Sequence, residues 1–140
     1  MKDKYNCEAL RVFCFYLLAK ENDLESFEEK FEELQKALQQ SEPRNSDLYY
    51  NYARLFARFC GRNPAILKLT GQLLEQALAQ QPENPSYLCE VGVQKAMVGD
   101  NTTAQTVYQR AASQDENNIQ PLYGMIYCRI RQGDYDEAAQ

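Results

Sequence analysis

The chain holds five cysteines, twenty carboxylates and ten tyrosines, and it has no histidine. Cys7 and Cys14 stand two helical turns apart and could share one face, which is the chain's single hint of a metal site. Without histidine, zinc would need four thiolates or carboxylates drawn from distant helices. Cys60, Cys89 and Cys128 are isolated, no CxxC pair occurs, and Met1-Lys2-Asp3-Lys4 does not open a signal peptide. The five thiols therefore read as reduced and buried, with no metal and no cofactor. Catalysis finds no support: there is no phosphate loop, no nucleophile elbow, and no paired carboxylates away from a helix surface. The sequon Asn101-Thr102-Thr103 is incidental in a chain read as cytosolic.

What remains is the chemistry of recognition. Arg54, Arg58 and Arg62 recur every four residues and form a basic stripe along one helix face or just beyond it. Such a stripe either docks an acidic partner or neutralises the glutamate-rich segment before it, and exposed ion pairs of the second kind contribute below about 1 kcal/mol each. The glutamates from Glu25 to Glu33 read as the solvated face of a long helix, with capture of a basic segment as the alternative. Tyr49, Tyr50 and Tyr52 cannot all point one way on a helix, so at least one belongs at an edge. Tyr123 and Tyr127 share a face, as residues four apart do, and tyrosine and arginine are enriched among binding anchors. The candidate contact residues are Tyr123, Tyr127, Arg131, Arg54 and Arg58.

These side chains must be carried by helices, because apolar spacing is helical almost throughout. Leu10, Phe13 and Leu17 mark a first helix over about 7–19, and Asp23 is placed to cap a second. Leu24, Phe27, Phe31, Leu34 and Leu38 form that helix's narrow stripe, and Ser41-Glu42-Pro43 closes it. A tyrosine-rich helix spans about 47–60, ended by Gly61 in a left-handed cap; Asn63-Pro64 opens its partner, which runs to Gln81-Pro82. A third pair covers about 85–98 and 101–113, hinged at Gly99. A fourth first-helix covers about 119–132, with a turn at Gly133 and a truncated partner from near Tyr135.

The pairs repeat. Gly99-Asp100 and Gly133-Asp134 lie 34 residues apart, and at that offset Leu88 maps to Leu122, Ala104 to Ala138, Leu74 to Tyr108 and Ala77 to Ala111. A fixed period of this length means stacked helix–turn–helix units whose long surfaces are left for partners. The expected repeats cover about 7–46, 47–84, 85–118 and a truncated 119–140, the array reading as a piece of a longer repeat protein. Composition agrees with a folded chain: 44% hydrophobic and 25% charged residues, with net charge -5. That charge offers no footprint for nucleic acid, and the longest apolar run, Val12 to Leu18, is too short to enter a membrane as a span.

The pattern resembles the tetratricopeptide repeat (TPR). Leu88, Gly92, Gly99, Ala104, Tyr108 and Ala111 fill the consensus places of the third unit, where small residues let helices approach and an aromatic fills the gap beside them. In the fourth unit Leu122, Gly133 and Ala138 match while Ile126 replaces the small residue. In the second, Tyr50, Gly61, Leu74, Ala77 and Pro82 match around an insertion. The first diverges, with Glu21-Asn22 in place of the glycine turn. The fold expected is an all-α solenoid, a right-handed superhelix of antiparallel helix pairs.

A closer resemblance rests on Cys7-Glu8-Ala9-Leu10, Leu48-Tyr49-Tyr50-Asn51-Tyr52, Phe59-Cys60-Gly61-Arg62, Gln72 to Ala77, and Gln132-Gly133-Asp134. On these segments the chain is similar to the tetratricopeptide repeat protein 21 family, the large TPR subunit of intraflagellar transport complex A. The resemblance implies a non-enzymatic scaffold of the cytoplasm and cilium, at axoneme and basal body, serving retrograde transport and import of ciliary cargo. Its implied partners are the other complex A subunits, built from WD40 propellers and TPR arrays, and it brings no catalytic or ligand residues. The alternative is a chaperone-adaptor TPR module gripping a peptide. Asn51 suits that role, but the expected groove neighbours Phe15, Leu55, Val93 and Ala96 are apolar and suit a helix or extended segment better than a free carboxylate.

Overall fold

A computed structural model describes residues 2–21, 23–59 and 63–139, with side chains described for 7–19, 23–59 and 63–133. Among the described residues the chain is helical and contains no strand: α1 (Lys2–Tyr16), α2 (Leu24–Ser41), α3 (Ser46–Phe59), α4 (Pro64–Gln80), α5 (Pro85–Met97), α6 (Asn101–Gln114) and α7 (Gln120–Ala139). It divides into two compact units, Met1–Gln80 and Gln81–Gln140.

In the first unit α1 pairs with α2, α3 pairs with α4, and α2 also meets α4. The second helix starts where Asp23 predicts, its carboxylate accepting from the Ser26 amide at 3.1 Å and the Ser26 hydroxyl at 2.7 Å. Asn63 caps α4 in the same way, accepting from the Ala65 amide at 2.9 Å. The expected stripe of α2 is buried at Phe27, Phe31, Leu34 and Leu38, and its glutamates Glu25, Glu28, Glu29, Glu32 and Glu33 are exposed. Phe56 of α3 is the hub. Its ring stacks on Phe15 at 4.4 Å and meets Phe31 and Phe27 edge-on at 5.3 and 5.8 Å, so three helices share one aromatic cluster. Burial of such a ring contributes about 2–3 kcal/mol.

Two expectations for α1 are corrected. Its buried stripe is Cys7 and Cys14, continued by Leu17 just past its end, while Phe13 is 45% exposed at the rim of the α1–α2 contact, with the Lys30 ammonium of α2 5.4 Å from its ring centroid. The helix also ends differently: Leu17–Glu21 form a π-helical turn, a wider coil that releases the chain toward α2 without a glycine. Asn22 and the proposed left-handed cap at Gly61 lie outside the described residues.

In the second unit α5 and α6 form a hairpin around Gly99, whose φ of 89° is the left-handed geometry glycine adopts without strain. Asn84 caps α5 and Asp100 caps α6, the latter accepting from the Thr103 amide at 3.2 Å. Arg110 and Gln114 of α6 both reach Glu83, at 3.2 and 3.1 Å, tying the hairpin's open end. Helix α7 packs on α6 and α5 through buried Pro121 and Cys128 and through Gly124.

The turn expected at Gly133-Asp134 is absent. Helix α7 continues through both residues as one 20-residue helix. The identical glycine-aspartate pair at Gly99 turns because α6 has a full apolar face to lay on α5: Ala104, Val107, Tyr108 and Ala111.

Candidate protein-binding site

The sequence nominates two surfaces, one in each unit. In the first, Arg54 and Arg58 are exposed one turn apart on α3, on the side away from buried Tyr49, Ala53, Phe56 and Ala57. Arg62 lies outside the described residues. Two large apolar side chains share their surface. Leu55 is partly exposed, and Phe59 is 65% exposed although Phe15 lies edge-on to it at 5.2 Å. On α2, Lys30 pairs with Glu33 at 3.3 Å and Lys36 with Glu32 at 3.5 Å, so part of the acidic face is neutralised within its own helix.

Beside these groups runs a polar seam between α1 and α3. Buried Tyr52 donates its hydroxyl to Glu8 at 2.6 Å, Arg11 pairs with the same carboxylate at 3.0 Å, and the Arg11 guanidinium covers the Tyr52 and Phe15 rings at 5.9 and 5.8 Å. Burial, and then the hydrogen bond to Glu8, raise the Tyr52 phenol well above its ordinary pKa, so it stays a donor. Of the three neighbouring tyrosines, Tyr49 and Tyr52 are buried and Tyr50 is half-buried at the edge, the division helical geometry requires.

In the second unit Tyr123 and Tyr127 project from α7, 66% and 44% exposed, and the Arg131 guanidinium sits 5.9 Å from the Tyr127 ring centroid. Leu122, Ile126 and Ile130 are exposed with them, and Leu122 and Ile126 line a shallow groove with Met125 and Arg129. Sequence reasoning missed this face because it placed Leu122 and Ile126 in the repeat's packing positions. The comparison with α5 shows why they differ: Leu88 is 1% exposed and Leu122 46% exposed, because α6 covers α5 at Gly92. The signal was present in the apolar residues that α7 carries on both sides, since a helix apolar all round has a covering requirement on each.

Gly124 was also missed. The Tyr108 ring lies against both Gly92 and Gly124, so close that a Cβ at Gly92 would stand 2.6 Å from its Cε1 and one at Gly124 would overlap it as well. Gly124 thus lets the next unit's first helix approach Tyr108 from the side opposite Gly92, a contact distinct from the repeat position held by Ile126.

Four cysteines, Cys7, Cys14, Cys89 and Cys128, are buried free thiols, as expected, and Cys60 lies outside the described residues. Among the described residues no group of three His, Cys, Asp or Glu side chains is arranged to hold a metal, and no helix is long and apolar enough to cross a membrane. The sequon asparagine, Asn101, is buried in the first turn of α6. Glu90 is likewise buried and accepts from Gln94 at 2.9 Å.

Comparison with known proteins agrees with this architecture. A family model described as the tetratricopeptide repeat protein 21 second ARM domain matches residues 29–140. The chain is 35% identical over 140 residues to Tetratricopeptide repeat protein 21B of Mus musculus, and 30% identical over 144 residues to the protein of that name in Xenopus laevis. Each alignment covers all of this chain and 11% of the relative. Tetratricopeptide repeat protein 21A of Mus musculus is 29% identical over 138 residues, covering 99% of this chain and 10% of that protein. The chain thus spans about a tenth of the length of these relatives. Paired helices with small-residue contacts, a glycine-hinged hairpin and a family match across most of the sequence lead to one conclusion: the chain belongs to the tetratricopeptide repeat protein 21 family.

Proposed function

We propose that this chain is a non-enzymatic, protein-binding segment of an intraflagellar transport complex A scaffold, acting in retrograde ciliary transport and the import of ciliary cargo. Membership of the tetratricopeptide repeat protein 21 family carries the reading. The surfaces support it: aromatic and arginine side chains stand exposed on helices whose opposite faces are locked in a core, and such anchors dominate protein association. The partners are the other complex A subunits, the place is cytoplasm and cilium, and the repeats over about 7–46, 47–84, 85–118 and 119–140 act as one array fragment. Tyr123, Tyr127, Arg131, Arg54 and Arg58 are the proposed contacts.

Affinity purification of the tagged parent protein from ciliated cells, followed by identification of what accompanies it, tests the reading. Recovery of complex A subunits in fixed proportion is the expected result. Recovery of chaperones without transport subunits would replace it with the adaptor alternative.

A further inference from the structure

Helix α7 carries apolar residues on two opposite sides. Pro121 and Cys128 are buried where it packs in the second unit, whereas Ile119, Leu122, Tyr123, Ile126, Tyr127 and Ile130 are 44–66% exposed. This outer stripe opens at the helix start, where the Ile119 carbonyl accepts from the Tyr123 amide at 3.1 Å. It then follows helical spacing to Ile130. With side chains of roughly 150–250 Å² about half open, the six leave on the order of 600–700 Å² per copy. That is close to the surface a standard interface takes from each partner, about 800 Å².

The spacing is palindromic. Ile119 and Ile130, Leu122 and Tyr127, and Tyr123 and Ile126 are each equidistant from the midpoint between Gly124 and Met125. A two-fold axis through that midpoint maps the stripe onto itself, as an isologous contact between identical chains requires. Charge sets the direction. Parallel pairing would bring the Arg129 residues of both copies together at the rim of the groove that Leu122, Met125 and Ile126 also line. Antiparallel pairing separates the two by about 13 Å along the helices, beyond the screening length of about 8 Å at physiological salt.

From this pattern we infer that the outer face of α7 is a self-association surface, pairing antiparallel with α7 of a second copy of this chain. Ile119 of each copy lies against Ile130 of the other, Tyr123 lies against Ile126, and Leu122 and Tyr127 close the edges. The assignment rests on the scaffold reading of this face as protein-binding and names its occupant.

Sedimentation equilibrium of the 140-residue chain is expected to show a concentration-dependent dimer. Ile126→Glu should weaken dimerisation about tenfold or more while circular dichroism shows helicity retained, because it puts a carboxylate at the centre of the contact. Phe59→Ser, on the exposed side of α3, should leave the dimer unchanged. Direction is read by mixing chains carrying Ile119→Cys with chains carrying Ile130→Cys and adding a short bis-maleimide. The mixed pair should cross-link in preference to like with like. A monomer at every concentration, equal loss of the dimer in Phe59→Ser, or preferential cross-linking of like with like overturns the inference. So does failure of two differently tagged copies of the parent protein to co-purify, since its own chain then covers α7. If the parent protein recovers complex A subunits without a second copy of itself, only this inference is lost. If the copies pair and no transport subunit is recovered, the transport-scaffold reading falls and this assignment stands.

Discussion

Tyr108 and Gly124 are packed so tightly across the α6–α7 contact that the ring occupies the space a Cβ would need, and Gly92 presses on the same ring from α5. Three helices of the second unit are thus joined through one buried aromatic. A methyl group at either glycine would have to displace the ring, which the two glycines bound from two directions.

Gly124→Ala is therefore expected to destabilise the second unit by about 1–3 kcal/mol, the usual cost of overpacking, even though alanine favours a helix by about 1 kcal/mol over glycine. Urea denaturation followed by circular dichroism measures it. Tyr108→Leu should recover part of the loss in the double variant, because a smaller side chain vacates the contested space. An unchanged or raised midpoint in Gly124→Ala would show that the ring has room to move.

Phe56 and Phe59 stand three residues apart on α3 and should answer oppositely to truncation. Phe56→Ala removes the ring shared by Phe15, Phe27 and Phe31 and costs about 3–5 kcal/mol. Phe59→Ala, at a mostly exposed site, should change stability by no more than about 0.5–1 kcal/mol. Comparable losses in thermal unfolding would contradict the assignment of Phe56 as the hub.

Asp100 caps α6, and hydrogen bonds from the Thr103 hydroxyl and then the Thr103 amide hold its carboxyl below the ordinary carboxylate range. A depressed folded-state pKa contributes stability above the unfolded value of about 3.9, and that contribution is lost as pH falls through the folded value. Asn at this position caps without titrating. Below about pH 4 the wild-type melting temperature should thus fall toward that of Asp100→Asn, the two curves separating most near neutrality. Parallel curves through the acid range would remove Asp100 as a contributor.

Burial, and secondarily Glu33, push the Cys14 thiol up to about 12; burial, and secondarily Glu90, push Cys89 up to about 11. Since the thiolate is the reactive form, iodoacetamide near neutral pH should leave both unmodified in the folded chain and alkylate both once denaturant is added. Peptide mass spectrometry distinguishes each cysteine. Rapid labelling of Cys14 in native buffer would place it at a surface.

Tyr127→Ala should weaken recovery of partner subunits while moving the unfolding free energy by less than about 1 kcal/mol, because much of the ring already meets solvent. Arg131→Ala should act in the same direction, since its guanidinium lies over that ring. If Tyr127→Ala loses folding and assembly together, the ring belongs to the core of the second unit.

The helical class, the caps at Asp23 and Asn63, the stripe of α2 and the hinge at Gly99 were legible in the sequence, because each follows from a local rule. Side chains three and four apart share a face, a short oxygen-bearing side chain satisfies the first amides, and glycine tolerates positive φ. The same local rules failed at Gly133, whose Gly-Asp signal is identical to that at Gly99. At Gly99 the following helix, α6, lays Ala104, Val107, Tyr108 and Ala111 in the core, whereas α7 runs on through Gly133. Periodicity also could not say that Phe13 is largely exposed while Cys14 is buried, or that Gly124 packs against Tyr108. Those outcomes belong to tertiary packing. The sequence determined which faces are apolar, and only the arrangement of neighbouring helices decided which of those faces are covered, because burial is a property of contacts between elements far apart in the chain.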